Sequence, residues 1–122
     1  MKLLGDFFTI LSSNVSDEML TVFGVLNAKH IVYKAHFPGH PVTPGVIQLK
    51  LVHELLENHL DKKLALKELI QSKFIRVIDP TIIPNLTLEI KIGLTRPMVV
   101  KAVGKFEDET LFRMHARFEA KE

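Results

Sequence analysis

The chain has 122 residues, 47% apolar and 25% charged, with a formal net charge of +2 at pH 7. That length suits a single domain over residues 1–122, and so small a charge, without an arginine-rich tract or aromatic ladder, argues against nucleic acid as a partner. Cysteine is absent, so disulfides and thiol nucleophiles are excluded. Met1 to Asp6 reaches an acid before any long apolar stretch, and no run approaches the ~20 apolar residues of a membrane span. A cytoplasmic protein without a membrane partner is expected.

In chain order, residues 7–13 and 19–27 are rich in β-formers, and 14–18 supply a turn, which predicts a hairpin. Residues 30–35 read as irregular. The strongest helical pattern covers 45–60. At roughly 100° per residue, Leu49, Leu51, Val52, Leu55, Leu56 and Leu60 occupy about half its circumference. Lys50, His53, Glu54, Glu57 and Asn58 gather on the other side, a pattern that by itself suits a solvent-facing stripe. Val46 and Ile47 fall on that polar side, however, so the first turn reads as apolar all round. Asp61-Lys62-Lys63 ends the helix. Four more β-rich segments follow, at 66–78, 84–94, 97–106 and 110–119, separated by Pro80 and Pro84, by Arg96-Pro97 and by Glu107-Asp108-Glu109. Residues 86–92 alternate apolar and polar, the mark of a sheet with one covered face. The order predicts an α+β domain, an antiparallel sheet around a single helix, whose open edges call for at least a dimer.

Between residue 35 and the helix runs His36-Phe37-Pro38-Gly39-His40-Pro41-Val42-Thr43-Pro44-Gly45-Val46. Each proline fixes φ and lacks an N–H, so neither a helix nor a central strand passes through. By composition this is a Pro/Gly connection. By arrangement it is a stiff loop carrying an imidazole that titrates near neutrality, and Gly45 opens a helix with its N–H free for a ligand oxygen. His36 and His40 are spaced like a helical metal pair, but Pro38 and Gly39 disfavour that helix. Neither a metal nor a cofactor is expected.

The string resembles the loop of the β-hydroxyacyl-acyl-carrier-protein dehydratases of the hot-dog fold. That loop reads His-Phe-Pro-Gly-x-Pro-hydrophobic-x-Pro-Gly-Val, and residues 36–46 match every fixed position. Elsewhere the resemblance is one of layout over nearly the whole chain. It implies a hot-dog fold, with the antiparallel sheet wrapped around one long central helix. It further implies dehydration of 3-hydroxyacyl thioesters carried on acyl carrier protein or coenzyme A, in fatty-acid or related acyl-chain biosynthesis. His36 would be the base and the Gly45 N–H the donor to the thioester oxygen, with Phe37, Val46 and Lys50 beside the substrate. The acid in such a family comes from the partner's helix, so a homodimer or higher homo-oligomer is implied, or a heterodimer with another hot-dog chain.

One position departs from the pattern. Five residues beyond the last motif glycine the family carries an acid, and this chain has Lys50; four further on it usually carries Gln, and this chain has Glu54. Glu54 would act as a displaced acid, or pair with Lys50 at i,i+4, or be idle while a different hot-dog chain supplies the carboxyl. The expected catalytic pair is therefore His36 and Glu54. The alternatives are an acyl thioesterase, with Glu54 activating water, and a non-catalytic acyl-binding subunit. His53 reads as a hydrogen-bonded structural residue, and His30, His59 and His115 show no partner. Lys62, Lys63, Lys67, Lys73 and Arg76 read as solvated surface in preference to a phosphate site.

Overall fold

Asp17 and Glu18 both take positive φ, 51° and 31°, the twist that a two-residue hairpin turn requires. They fold β1 (Phe8–Ser16) back on β2 (Met19–Leu26), with Ser16 opposite Met19. The structure is a computed structural model that describes residues 2–35 and 39–121. Strand β1 runs further than its composition suggests: Asn14, Val15 and Ser16, expected in the turn, pair in register with β2. After β2 comes a short helix, α1 (Ile31–Ala35), in the stretch expected to be irregular. His30 starts it by accepting the Val32 N–H on Nδ1 at 3.0 Å.

Helix α2 (Gly45–Leu60) has the bounds its periodicity predicts. Asp61 ends it in the left-handed region, at φ 52° and ψ 48°, returning its N–H to the Glu57 carbonyl. Then follow β3 (Leu64–Phe74), β4 (Asn85–Gly93), β5 (Met98–Phe106) and β6 (Glu109–Ala120). Ile75 and Val77 were expected within the third strand but lie beyond it, where the Ile75 and Arg76 N–H groups both turn to the Leu111 carbonyl.

The strands form one antiparallel six-stranded sheet in the order β1-β2-β4-β5-β6-β3. Period-2 alternation puts Leu86, Leu88, Ile90 and Ile92 of β4 on the covered face, with Met114, Ala116 and Phe118 of β6. Ile47, Leu51, Val52, Leu55 and Leu56 of α2 join them in the same buried cluster. Each such side chain taken from water contributes roughly 1.5–3 kcal/mol, and the helix is fixed on the sheet by several at once.

The sheet ends on β1 and β3. On β3, Leu66, Leu69, Ile70 and Phe74 remain 37–47% exposed on a strand bonded on one side only. Among the described residues no helix is long and apolar enough to cross a membrane.

Candidate active site

Thr43 anchors the proline-rich loop. Buried against the core, it donates its N–H to the Ile78 carbonyl at 2.9 Å and shares a 2.8 Å hydroxyl contact with Tyr33 of α1. Its carbonyl accepts the Gln48 Nε2–H at 3.0 Å. Two helices and the segment after Phe74 therefore hold one loop residue. Burial pushes the Tyr33 phenol up to about 12, so it remains neutral at physiological pH.

One residue on, Pro44 is extended (φ −61°, ψ 146°) and begins α2 without any side-chain cap. Its carbonyl accepts the Ile47 and Gln48 N–H groups, at 3.0 and 3.2 Å. The Gly45 and Val46 N–H groups find no acceptor among the described residues. A helix N-terminus carries partial positive charge, so two free donors there suit an oxygen gaining negative charge. The Phe74 ring lies against Gly45, close enough that an added Cβ would sit 2.7 Å from it. Val46 is 68% exposed in the single chain, not buried like the rest of an all-apolar first turn. Ile47 alone of that pair turns to the core. His36 and Phe37 lie outside the described residues; His36 follows directly on the last residue of α1.

The polar stripe of α2 is mostly occupied in holding neighbouring backbone. Glu54, 12% exposed, accepts the Leu3 N–H on both oxygens at 2.9 Å and the Leu4 N–H on Oε1 at 3.1 Å. Lys50 stands 3.6 Å from its Oε2, the i,i+4 pair considered from the sequence. His53 donates from Nε2 to the Leu64 carbonyl at 2.8 Å, while Glu57 Oε2 accepts the Leu64 N–H at 2.8 Å. The two side chains clamp the start of β3, and the His53 ring packs edge-on against Phe118 at 5.0 Å. His53 is thus a structural residue in this fold.

His30 does have partners: Asp6 at 3.2 Å and the Val32 N–H. Of the basic residues weighed for phosphate, Lys67 pairs with Glu119 and Arg76 with Glu109. Lys62 and Lys63 face a groove of about 700 Å³ that runs past Lys2, Leu4, Lys50 and Glu54.

In the network at Thr43, which sequence reasoning missed, Tyr33 and Ile78 meet it only through the fold, while the bond from Gln48 is local, five residues on. Residues 12–104 match the family described as ApeI-like, ApeI dehydratase. The chain belongs to the ApeI-like dehydratase family. Solved structures similar to this ApeI-like chain share its hot-dog fold. A chain of the dehydratase heterocomplex ApeI:P from Xenorhabdus doucetiae matches at TM-score 0.78 and 17% identity, covering 91% of this chain and 96% of that one. An uncharacterized protein from Erwinia carotovora matches at 0.68 and 20%, covering 93% and 96%. A mutant thioesterase from Pseudomonas aeruginosa matches at 0.59 and 13%, covering 93% and 82%. No curated protein matches.

Proposed function

We propose that the chain is a single hot-dog domain, its sheet curled around α2, and that it serves the dehydration of 3-hydroxyacyl thioesters. The observation that carries this is the uncapped start of α2, where the Gly45 and Val46 N–H groups, without an acceptor among the described residues, follow the loop that begins at His36 in the sequence. In the reaction His36 removes the α-proton, and the electron pair moves toward the thioester carbonyl, whose oxygen gains charge against the Gly45 N–H. The pair then closes the carbon–carbon double bond as the β-hydroxyl leaves, protonated, as water. Phe37 and Val46 flank the acyl thioester, which is presented by acyl carrier protein or coenzyme A. The same reading assigns the chain to acyl-chain biosynthesis in the cytoplasm.

The departing hydroxyl needs an acid. Glu54 can supply it only by giving up the Leu3 and Leu4 N–H groups that its oxygens accept. In a second copy of this chain the family's acidic position is again Lys50. We therefore assign the acid to a different hot-dog chain, paired with this one in a heterodimer. The similar structure from Xenorhabdus doucetiae is a dehydratase heterocomplex, which supports that arrangement. The half-exposed apolar residues of β3 supply an edge for pairing.

A second reading, hydrolysis of acyl thioesters, draws on the likeness in fold to a thioesterase from Pseudomonas aeruginosa. Glu54 would then activate water, and for that too it must release the Leu3 and Leu4 N–H groups. Incubation with 3-hydroxyacyl and saturated acyl thioesters separates the readings. Enoyl formation supports dehydration, thiol release supports hydrolysis, and neither, even with a partner chain present, leaves an acyl-binding subunit.

A further inference from the structure

Gln48 is 5% exposed, and its Oε1 meets no donor among the described residues. A buried acceptor without a donor weakens a fold, and an aliphatic side chain at this position would avoid the loss. Stability therefore does not account for the amide. Its other end has a definite task, since Nε2 donates to the Thr43 carbonyl at 3.0 Å. That carbonyl belongs to the Thr43–Pro44 peptide, immediately before the uncapped helix start. Ile78 holds the Thr43 N–H and Tyr33 its hydroxyl, so Gln48 supplies the third tie. The Gly45 N–H lies on the Pro44–Gly45 peptide, whose carbonyl the Ile47 and Gln48 N–H groups hold. Without the Nε2 tie the preceding Thr43–Pro44 peptide can tilt, and the rigid Pro44 ring that joins the two peptides passes that tilt to the Gly45 amide.

We propose that Gln48 is a positioning residue: by holding the Thr43 carbonyl it fixes the direction of the free Gly45 N–H. This rests on the reading of Gly45 as the donor to a thioester oxygen. No aliphatic residue can substitute, because the tie needs a hydrogen-bond donor in a dry place. Tyr33, the titratable group in contact with Thr43, stays neutral across the working range. Among the described residues, the tie to the Thr43 carbonyl thus depends on the donor at position 48.

The test uses the native chain, Gln48→Leu and Gln48→Glu, with two readouts: the Gly45 amide resonance by NMR, and turnover of acyl thioesters with the partner chain added where it is required. Gln48→Leu should fold, shift the Gly45 resonance and lower kcat by up to about 10²-fold with little change in KM. Gln48→Glu adds a pH signature. Protonated, it can donate to the Thr43 carbonyl; ionised, it repels it. The variant should therefore match the native chain at low pH and lose the native Gly45 shift and kcat as pH rises. The midpoint should lie above the ordinary ~4.3 of Glu, because burial disfavours the charged form. If Gln48→Leu fails to fold, the Gln48→Glu series decides alone. A Gly45 resonance and kcat unchanged in Gln48→Glu at every pH would overturn the proposal. If the native chain turns over no thioester in any pairing, the functional reading fails, and the Gly45 resonance still decides the role of Gln48.

Discussion

Glu54 accepts the Leu3 N–H on both carboxylate oxygens at 2.9 Å, joining the middle of α2 to a backbone 51 residues away. The group that stands where the sequence suggests a displaced acid also fixes the N-terminal segment to the helix. Glu54→Gln separates the two roles. Its loss should cost about 1.5–3 kcal/mol in chemical denaturation, the worth of hydrogen bonds to a charged group. The Leu3 and Leu4 amides should also lose protection from hydrogen exchange. With the acid on another chain, dehydration by the pair should fall only a few-fold. A loss of ~10²–10⁴ in rate would return the acid to Glu54.

Gly45 lies under the Phe74 ring, and this predicts a different balance. Gly45→Ala brings a methyl to 2.7 Å from the ring, which must move. Phe74 is half-exposed at the end of β3, so the ring can swing and the stability cost should stay below about 1.5 kcal/mol. Turnover should suffer more than stability, because the displaced ring and new methyl crowd the free N–H. Gly45→Ala with Phe74→Ala should recover part of the loss, measured as kcat/KM against denaturation midpoint.

Tyr33 is the single tyrosine in the sequence, so an ultraviolet titration reports it alone. The phenol should ionise at about 12 in the folded chain and near ~10 when unfolded. The sign follows from linkage: a pKa raised by folding contributes stability that is complete below the unfolded value and lost as pH climbs to the folded one. Stability should therefore fall between those two values, and Tyr33→Phe should remove that part of the fall. A folded midpoint near 10 would show that the phenol is not buried.

What the sequence disclosed follows the length and locality of each signal. Helix α2 was readable because sixteen residues repeat an apolar stripe over more than four turns. Helix α1 was not, since five residues give too little of a period to detect. Asn14 to Ser16 were assigned to a turn by their polarity, yet an edge strand exposed on its surface tolerates polar side chains. The Lys50–Glu54 pair was legible from its i,i+4 spacing. The hold of Glu54 on Leu3, of His30 on Asp6, and of Thr43 on Tyr33 and Ile78 depends on contacts that only tertiary folding creates.

The exposed edge of β3 carries the prediction about assembly. Replacing Leu69 or Ile70 with Lys places a charge in an unpaired apolar edge. Light scattering should show a dimer for the native chain, or for its pair with another hot-dog chain, and monomers for either variant. An active, stable native monomer would count against the paired site.

The central claim is that the His36–Gly45 site lacks only a carboxyl at position 50, and Lys50→Glu tests it most directly. The native chain alone and the variant alone are each given a 3-hydroxyacyl thioester, and enoyl product is followed. The native chain should form little, while Lys50→Glu should gain about 10²–10⁴ in rate, the usual contribution of a placed acid. His36→Ala in the variant should abolish the gain. A variant that forms no more enoyl product than the native chain, or one whose activity survives loss of His36, would contradict the claim.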